Sequence, residues 1–303
     1  MCIRDSIEIF EKHLVLEERK GGLTQLRIIR WADKQEHYIQ FDEPTYTLYS
    51  GVNLSFDTHI LRFGYTSLTT PSATYDYDME TRQKTLLKQQ EVIGGYNAQD
   101  YQSEYTNATA QDGTKIPISI VYKKGTKKDG SAPLLLYAYG SYGICIDATF
   151  SSTRLSLLDR GFIFAIAHIR GGQELGRDWY EDGKMFKKKN TFTDFIDCAK
   201  FLIEKKYTSP AKLAIEGRSN GGLLVGACMT QRPELYRVAF PIVGVLDMMR
   251  YHQFTIGHFW ASDGQWDARP GIGATSWSAV DVDALRALSR KNTPTRVIAF
   301  KLG

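Results

Sequence analysis

A serine in a glycine-rich turn is the residue best suited to chemistry in this sequence. Residues 217–221 read Gly-Arg-Ser-Asn-Gly, with an apolar stretch before them and Leu223, Leu224 and Val225 after them. The pattern predicts a buried strand, a tight turn that carries Ser219, and a helix. The hydroxyl would project from this turn, and the free N–H groups of the helix would face a developing oxyanion. We interpret Ser219 as a nucleophile. The alternative is a turn whose serine only caps the helix.

The elements around this turn alternate between strands and helices over residues 93–303. Continuous apolar runs at 134–139 and 162–167 predict central strands that are covered on both faces. Asp112-Gly113 predicts a hairpin turn. Thr191–Asp194 resembles a capping box, and apolar residues then recur at helical spacing, which leaves Asp197 on the opposite face. The alternation predicts a doubly wound, largely parallel sheet, and the turn at Ser219 makes it an α/β hydrolase.

Residues 7–92 have a different periodicity. Short strand-like runs alternate with polar turns, and the pattern that starts at Leu14 returns at Leu61, an offset of 47 residues (61 − 14). This offset lies within the roughly 40–50-residue period of β-propeller blades. Two such units are too few to close a propeller, so the zone is predicted to be the C-terminal blades of a larger one. A generic β-meander is the alternative.

Composition excludes several classes of function. Among the 303 residues, 43% are hydrophobic and 24% charged, and the net charge of +4 is too small and scattered for nucleic-acid binding. No apolar run approaches the roughly 18 residues of a membrane span. The basic run at Lys184 and Lys187–Lys189 is interpreted as a solvated loop. The four cysteines show no paired or metal-ligand spacing, which predicts free thiols and no metal site: Cys2, Cys145, Cys198 and Cys228.

Several longer motifs resemble the prolyl oligopeptidase family of serine peptidases, which includes prolyl endopeptidase and oligopeptidase B. The similarity extends from about residue 8 to 260, and its motifs are Tyr137–Gly143, His168–Gly176, Trp179–Gly183, Lys189–Phe192 and the Ser219 turn with Gln231–Leu235. The resemblance implies a catalytic α/β-hydrolase domain and a β-propeller that restricts entry to short peptides. It also implies a monomer without a cofactor, located in the cytoplasm, with a periplasmic location left open.

The two halves of the chain resemble different members of that family. Segments 42–44, 63–67, 75–78 and 140–147 are similar to oligopeptidase B, which cleaves after Lys or Arg. Segments 221–225, 243–252 and 257–260 are similar to prolyl endopeptidase. An intermediate subfamily and a composite sequence both account for this division.

The resemblance assigns catalytic roles to three residues. Ser219 matches the nucleophile, the backbone N–H of Asn220 matches one oxyanion donor, and the Tyr139 hydroxyl matches the other. Arg218 stands where the family usually has glycine, so its side chain is expected to reach solvent or a carboxylate.

Three further residues match substrate-binding positions. Trp260 corresponds to a tryptophan that stacks on proline, and Tyr142 lies in the matching Tyr137–Gly143 motif. Asp147 corresponds to an acid that receives basic side chains, although Thr149 replaces its usual acidic companion. Proline at P1 is therefore favoured over Lys or Arg.

The family's remaining catalytic residues fall late in the chain. Its Asp follows the Ser by roughly 85–90 residues and its His by about 40 more, near and beyond Gly303. Residues 261–303 depart from the family pattern, and His168 and His252 are expected to be structural. The chain is predicted to be a fragment at both ends, inactive by itself, of a serine oligopeptidase that forms an acyl-enzyme. An esterase on the same fold and a non-catalytic binding module are the alternatives.

Overall fold

The computed structural model describes residues 3–254 and residue 257, and residues 3–89 contain two antiparallel sheets. β2 and β6 each span eight residues and begin 47 residues apart (60 − 13), which is the predicted period. β1 begins four residues before the predicted start at residue 7 (7 − 3). The first sheet contains β1 (Ile3–Ile9), β2 (His13–Lys20), β3 (Leu23–Arg30) and β4 (Glu36–Tyr38), and the second contains β5 (Tyr46–Ser50), β6 (Ile60–Ser67), β7 (Ala73–Asp78) and β8 (Lys84–Gln89).

These two sheets share one apolar core. Alternate residues of β3, among them Leu26 and Ile28, are buried, as expected for a strand with one face on a core. Phe41 stacks on Tyr65 with 3.8 Å between ring centroids. The sheets therefore pack together as consecutive blades do, rather than as a flat meander.

A six-stranded mixed sheet follows, with strand order β14-β13-β11-β12-β10-β9. β9 and β10 form the predicted antiparallel hairpin around Asp112 and Gly113, whose φ is +85°. β11 lies between β12 and β13 and runs parallel to both, and β14 is parallel to β13. The strands are β9 (Tyr101–Thr109), β10 (Lys115–Lys123), β11 (Leu134–Tyr137), β12 (Ile163–Ala167), β13 (Leu213–Arg218) and β14 (Val238–Ile242).

Helices cover both faces of this sheet. One face packs α3 and α4 in the largest apolar cluster, and the other packs Leu158 of α1 against β12 and β10. This is the predicted doubly wound arrangement. Within residues 3–254 no helix is long and apolar enough to cross a membrane. The helices are α1 (Ser152–Leu158), α2 (Arg177–Glu181), α3 (Lys189–Glu204) and α4 (Asn220–Gln231), with 3-10 turns at Ala98–Asp100, Met185–Lys187, Pro233–Leu235 and Tyr251–Gln253.

The predicted capping box of α3 is wrong. The helix begins at Lys189, three residues before the Phe192 that a cap at Thr191 predicts, and the Thr191 hydroxyl donates to the carbonyls of Arg170 and Gly183 at 2.9 and 3.1 Å. Asp194 is fully buried and binds the Arg170 guanidinium through both oxygens, at 2.6 and 2.9 Å. Both side chains that the capping-box pattern assigned to the start of the helix instead bind groups from other parts of the fold.

The face of α3 that was expected to be polar is also partly covered. Asp197 is buried and accepts the backbone N–H of Gln111 at 3.1 Å and the Lys200 ammonium at 3.0 Å. The hairpin that carries Gln111 lies over this side of the helix. The acidic residue therefore holds the hairpin turn instead of facing water.

Removing the Asp194 carboxylate should destabilise the fold strongly. The Asp194→Ala variant leaves the buried Arg170 guanidinium without its main partner, which should cost about 3–5 kcal/mol of unfolding free energy. Urea unfolding followed by tryptophan fluorescence measures the difference. The control Asp33→Ala removes an exposed pair with Arg30 and should leave the midpoint nearly unchanged. Equal midpoints for the two variants would contradict an anchoring role for the buried pair.

Candidate active site

Ser219 lies between the end of β13 and the start of α4 in a strained backbone conformation. Its φ of 56° and ψ of −114° fall in a region that residues other than glycine rarely adopt. The Ser219 N–H bonds to the Ile242 carbonyl at 2.9 Å, and its carbonyl accepts the N–H of Gly222 at 2.9 Å. The residue is exposed, and its hydroxyl makes no capping bond to the helix. The hydroxyl is therefore free of the capping role that was the alternative.

The glycines around Ser219 are required by close backbone contact. A Cβ at Gly217 would overlap the backbone of Gly221, and a Cβ at Gly221 would lie 2.7 Å from the Ala138 carbonyl oxygen. The strand and helix can thus approach each other only without side chains at these two positions. Arg218 lies between these two glycines and is exposed. Solvent was one of the two environments predicted for its side chain, and a carboxylate was the other.

Tyr139 reaches the same edge of the sheet as Ser219. β11 and β13 are parallel neighbours with Tyr137 opposite Glu216, so both strands end side by side. Burial raises the pKa of the Tyr139 phenol, and the nearby Ser219 side chain lowers it and so offsets only part of the effect. Tyr139 therefore keeps its proton near neutral pH and can act as a hydrogen-bond donor.

Asn220 joins the helix to the Tyr139 segment. It is buried, and its side-chain Nδ2 donates to the Tyr139 carbonyl at 2.7 Å. Its backbone N–H belongs to the first residue of α4 and has no acceptor within the helix. The bond from the Asn220 side chain to the Tyr139 carbonyl was not predicted, because a side-chain bond across 81 residues leaves no local sequence signal.

Tyr142 lies on the loop that directly follows Tyr139. The loop turns sharply: Gly140, Tyr142 and Gly143 have φ values of 70°, 59° and 66°. The Tyr142 side chain is 37% exposed. The structure thus presents its ring to solvent three residues from Tyr139, where a bound molecule could reach it.

Asp147 is engaged within the molecule. Both of its oxygens bind the guanidinium of Arg19 on β2, at 2.7 and 3.1 Å. The carboxylate expected to receive a basic substrate side chain is therefore already paired with an arginine of the first sheet. Trp260 lies outside the described residues, as do His258 and residues 261–303.

The described histidines of the catalytic sheet region have structural surroundings. His168 is buried, and its Nε2 bonds with the Ser119 hydroxyl at 2.8 Å. His252 lies in the 3-10 turn Tyr251–Gln253. Among residues 3–254, no group of three His, Cys, Asp or Glu side chains converges as a metal site would require. Cys145, Cys198 and Cys228 are free thiols.

The basic run was interpreted as a solvated loop, and this is wrong for one of its members. Lys184 and Lys187 form ion pairs with Glu181 and Asp182 at 2.8 and 2.6 Å. Lys188 instead turns inward, and its Nζ donates to the Gly140 carbonyl at 2.6 Å and to the Ser141 hydroxyl at 2.9 Å. A run of four lysines in six residues does not indicate which of the lysines will turn towards the interior.

An exposed serine on a strand–turn–helix of a mixed sheet, after two antiparallel sheets that pack as blades do, is the arrangement of an α/β hydrolase. Residues 148–288 match the model of the prolyl oligopeptidase family, and residues 2–90 match the model of its N-terminal β-propeller domain. The chain belongs to the prolyl oligopeptidase family.

The relatives carry different names. A dipeptidyl aminopeptidase BI of Pseudoxanthomonas mexicana is 46% identical over 81% of this chain and 34% of its own length. A prolyl endopeptidase of Elizabethkingia meningoseptica is 45% identical over 67% of this chain and 28% of its own length. The structure of oligopeptidase B from Leishmania major superimposes with a TM-score of 0.77 at 37% identity, over 94% of this chain and 40% of that one. The chain thus spans about a third of the length of the curated relatives it matches.

The close approach at Gly221 should be needed for the reactivity of Ser219. In Gly221→Ala, the new Cβ meets the Ala138 carbonyl, which should push the turn away from Tyr139. We expect a fluorophosphonate probe to label the full gene product at Ser219, and to label this variant at least about tenfold more slowly because a displacement of the order of 1 Å is costly.

Two variants serve as controls for that measurement. Gly161→Ala adds a left-handed backbone strain that Gly221→Ala does not have, but its Cβ would meet nothing within 4 Å, so labelling should proceed at the original rate. Ser219→Ala should abolish labelling. Labelling that survives this second change would place the reactive group elsewhere.

Proposed function

We propose that the gene product is a serine-type oligopeptidase that cleaves short peptides through an acyl-enzyme on Ser219. The observation that carries the proposal is the convergence of a strained, exposed serine, the Tyr139 hydroxyl and the first N–H of α4 at one edge of the sheet. Membership of the prolyl oligopeptidase family supports a peptide as the substrate.

The geometry suits acyl transfer. The Ser219 Oγ attacks the scissile carbonyl carbon while a general base takes its proton; the family resemblance implies that this base is a histidine that follows Ser219 and the family Asp along the chain. The carbonyl oxygen becomes an oxyanion, which accepts hydrogen bonds from the Asn220 N–H and the Tyr139 hydroxyl. The C–N bond breaks, the amine leaves with a proton, and water then attacks the ester to release the acid and restore Ser219.

We further propose a preference for proline at P1. The finding that supports it is the Arg19–Asp147 pair, because Asp147 is the family acid that would otherwise receive a basic side chain. A basic P1 group would have to displace Arg19 or find another desolvated carboxylate. Trp260, assigned by the resemblance, would stack on the proline ring. Cleavage after Lys or Arg is the second candidate, favoured by the similarity to oligopeptidase B.

Removing the Tyr139 hydroxyl tests the proposed mechanism. Tyr139→Phe in the full gene product should lower kcat by about 10²–10³-fold, because a donor to the oxyanion is lost. KM should change much less, since this bond strengthens in the transition state. Tyr137→Phe removes the same group two residues earlier on β11 and should keep kcat within about twofold. An unchanged kcat in Tyr139→Phe would leave Tyr139 as a structural aromatic and overturn its assigned role.

Peptide substrates with proline or arginine at P1 test the specificity. We expect kcat/KM to be higher for a Gly-Pro than for an Arg-Arg aminomethylcoumarin substrate. Trp260→Ala should lower the Gly-Pro value about 3- to 10-fold through lost aromatic stacking, and Asp147→Asn should leave it unchanged. A preference for the Arg-Arg substrate that falls in Asp147→Asn and persists in Trp260→Ala would establish the second candidate instead.

A further inference from the structure

Lys188 is a cation that the mechanism does not use, and it is placed beside the proposed oxyanion donor. It lies between the 3-10 turn Met185–Lys187 and α3. Its Nζ donates to the Gly140 carbonyl at 2.6 Å and to the Ser141 hydroxyl at 2.9 Å. These are the two residues that follow Tyr139, so Lys188 bonds to the segment that carries the phenol.

The surroundings of Lys188 are unusual for a lysine. The nearby acids Glu181 and Asp182 are paired with Lys184 and Lys187. Burial lowers the pKa of the Lys188 ammonium to about 7. A neutral amine still has two N–H groups, so both bonds can persist in either protonation state. Lys188 as a residue is half-buried, and even partial burial of a cation without a carboxylate disfavours folding.

Side chains supply hydrogen bonds to the segment that Lys188 holds. β11 ends at Tyr137, so Tyr139, Gly140 and Ser141 lie beyond the sheet ladder. The Tyr139 carbonyl accepts a bond from Asn220, and Gly140 has a left-handed φ of 70°. Lys188 supplies the bonds to the next two residues, and Ser141 is completely buried. Two side chains, Asn220 and Lys188, therefore hydrogen-bond this segment, which also packs against the backbone at Gly171.

We propose that Lys188 is a positioning residue for the oxyanion donor: it fixes Gly140 and Ser141 so that the Tyr139 hydroxyl stays beside Ser219. The inference rests on the proposed function. Lys188 does not touch the reacting atoms. It acts on the rate because a donor must lie about 2.7–3.1 Å from the developing oxyanion, and a displacement of 1 Å can cost about 10²-fold.

The first test removes the donors of Lys188 and keeps its stem. In the full gene product, Lys188→Met should lower kcat per fluorophosphonate-titrated active site by about 10- to 100-fold, with KM changed less than about twofold. Lys187→Met, one residue earlier, removes an exposed lysine paired with Asp182 and should leave both parameters unchanged. Because kcat is counted per titrated site, a loss of folded enzyme alone would not lower it. An unchanged kcat in Lys188→Met would overturn the proposal.

The second test separates positioning from a general structural role. In the Tyr139→Phe background the donor is absent, so Lys188→Met should lower kcat by less than about threefold. A loss as large as in the wild-type background would show that Lys188 acts by another route and would overturn the proposal.

If Lys188→Met fails to fold, a milder variant still tests the proposal. Ser141→Ala removes one of the two acceptors and should lower kcat about threefold, again only when Tyr139 is present. An unchanged kcat there would count against the proposal.

The outcomes also separate this inference from the proposed function. If wild type is inactive, or if Tyr139→Phe keeps full kcat, both fail together. If Tyr139→Phe loses activity and Lys188→Met does not, only the role of Lys188 fails.

Discussion

The backbone conformation of Ser219 is the constraint on which the rest of the site depends. A left-handed non-glycine residue costs about 1–3 kcal/mol and persists only where its neighbours leave no alternative. Here the Ser219 N–H is bonded to β14 through Ile242, and Gly217 meets Gly221 backbone to backbone. β13 lies between β11 and β14 in the sheet, and its alternate residues are fully buried, so the turn cannot relax by moving the strand. The strain keeps the hydroxyl projecting from the molecule and directs the first N–H of α4 to the same side.

The segment that follows Tyr139 is held at its two ends by different parts of the chain. At its start, Asn220 and Lys188 bind the Tyr139 and Gly140 carbonyls. At its far end, Asp147 pairs with Arg19 of the first sheet, and Thr47 of the second donates to the Ala148 carbonyl at 3.2 Å. The propeller blades therefore contact the same loop that carries the proposed oxyanion donor. A loop with three left-handed residues in four would otherwise have few bonds to define it.

The His168–Gly176 motif forms the support beneath that loop. Arg170 is fixed by Asp194, and its carbonyl accepts the Thr191 hydroxyl, so the chain at this point cannot shift. The Gly143 N–H bonds to the Gly171 carbonyl at 3.0 Å, and a side chain at Gly171 would collide with the Gly140 carbonyl. The motif thus contributes to the site through backbone packing. Its only histidine, His168, is bound to Ser119 on β10.

The sequence by itself determined the elements whose signal is local. The strand–turn–helix around Ser219, the two central strands and the 47-residue period of the blades follow from apolar spacing and glycine positions within short windows. Tertiary structure decided which polar side chains meet. Asp147 binds Arg19 across 128 residues, and Lys188 binds Gly140 across 48. For the same reason, the roles predicted from the capping pattern and from helix periodicity were wrong for three residues: Thr191, Asp194 and Asp197. A charged or hydroxyl side chain takes whichever partner the fold brings near once water is excluded, and that partner has no fixed distance along the chain.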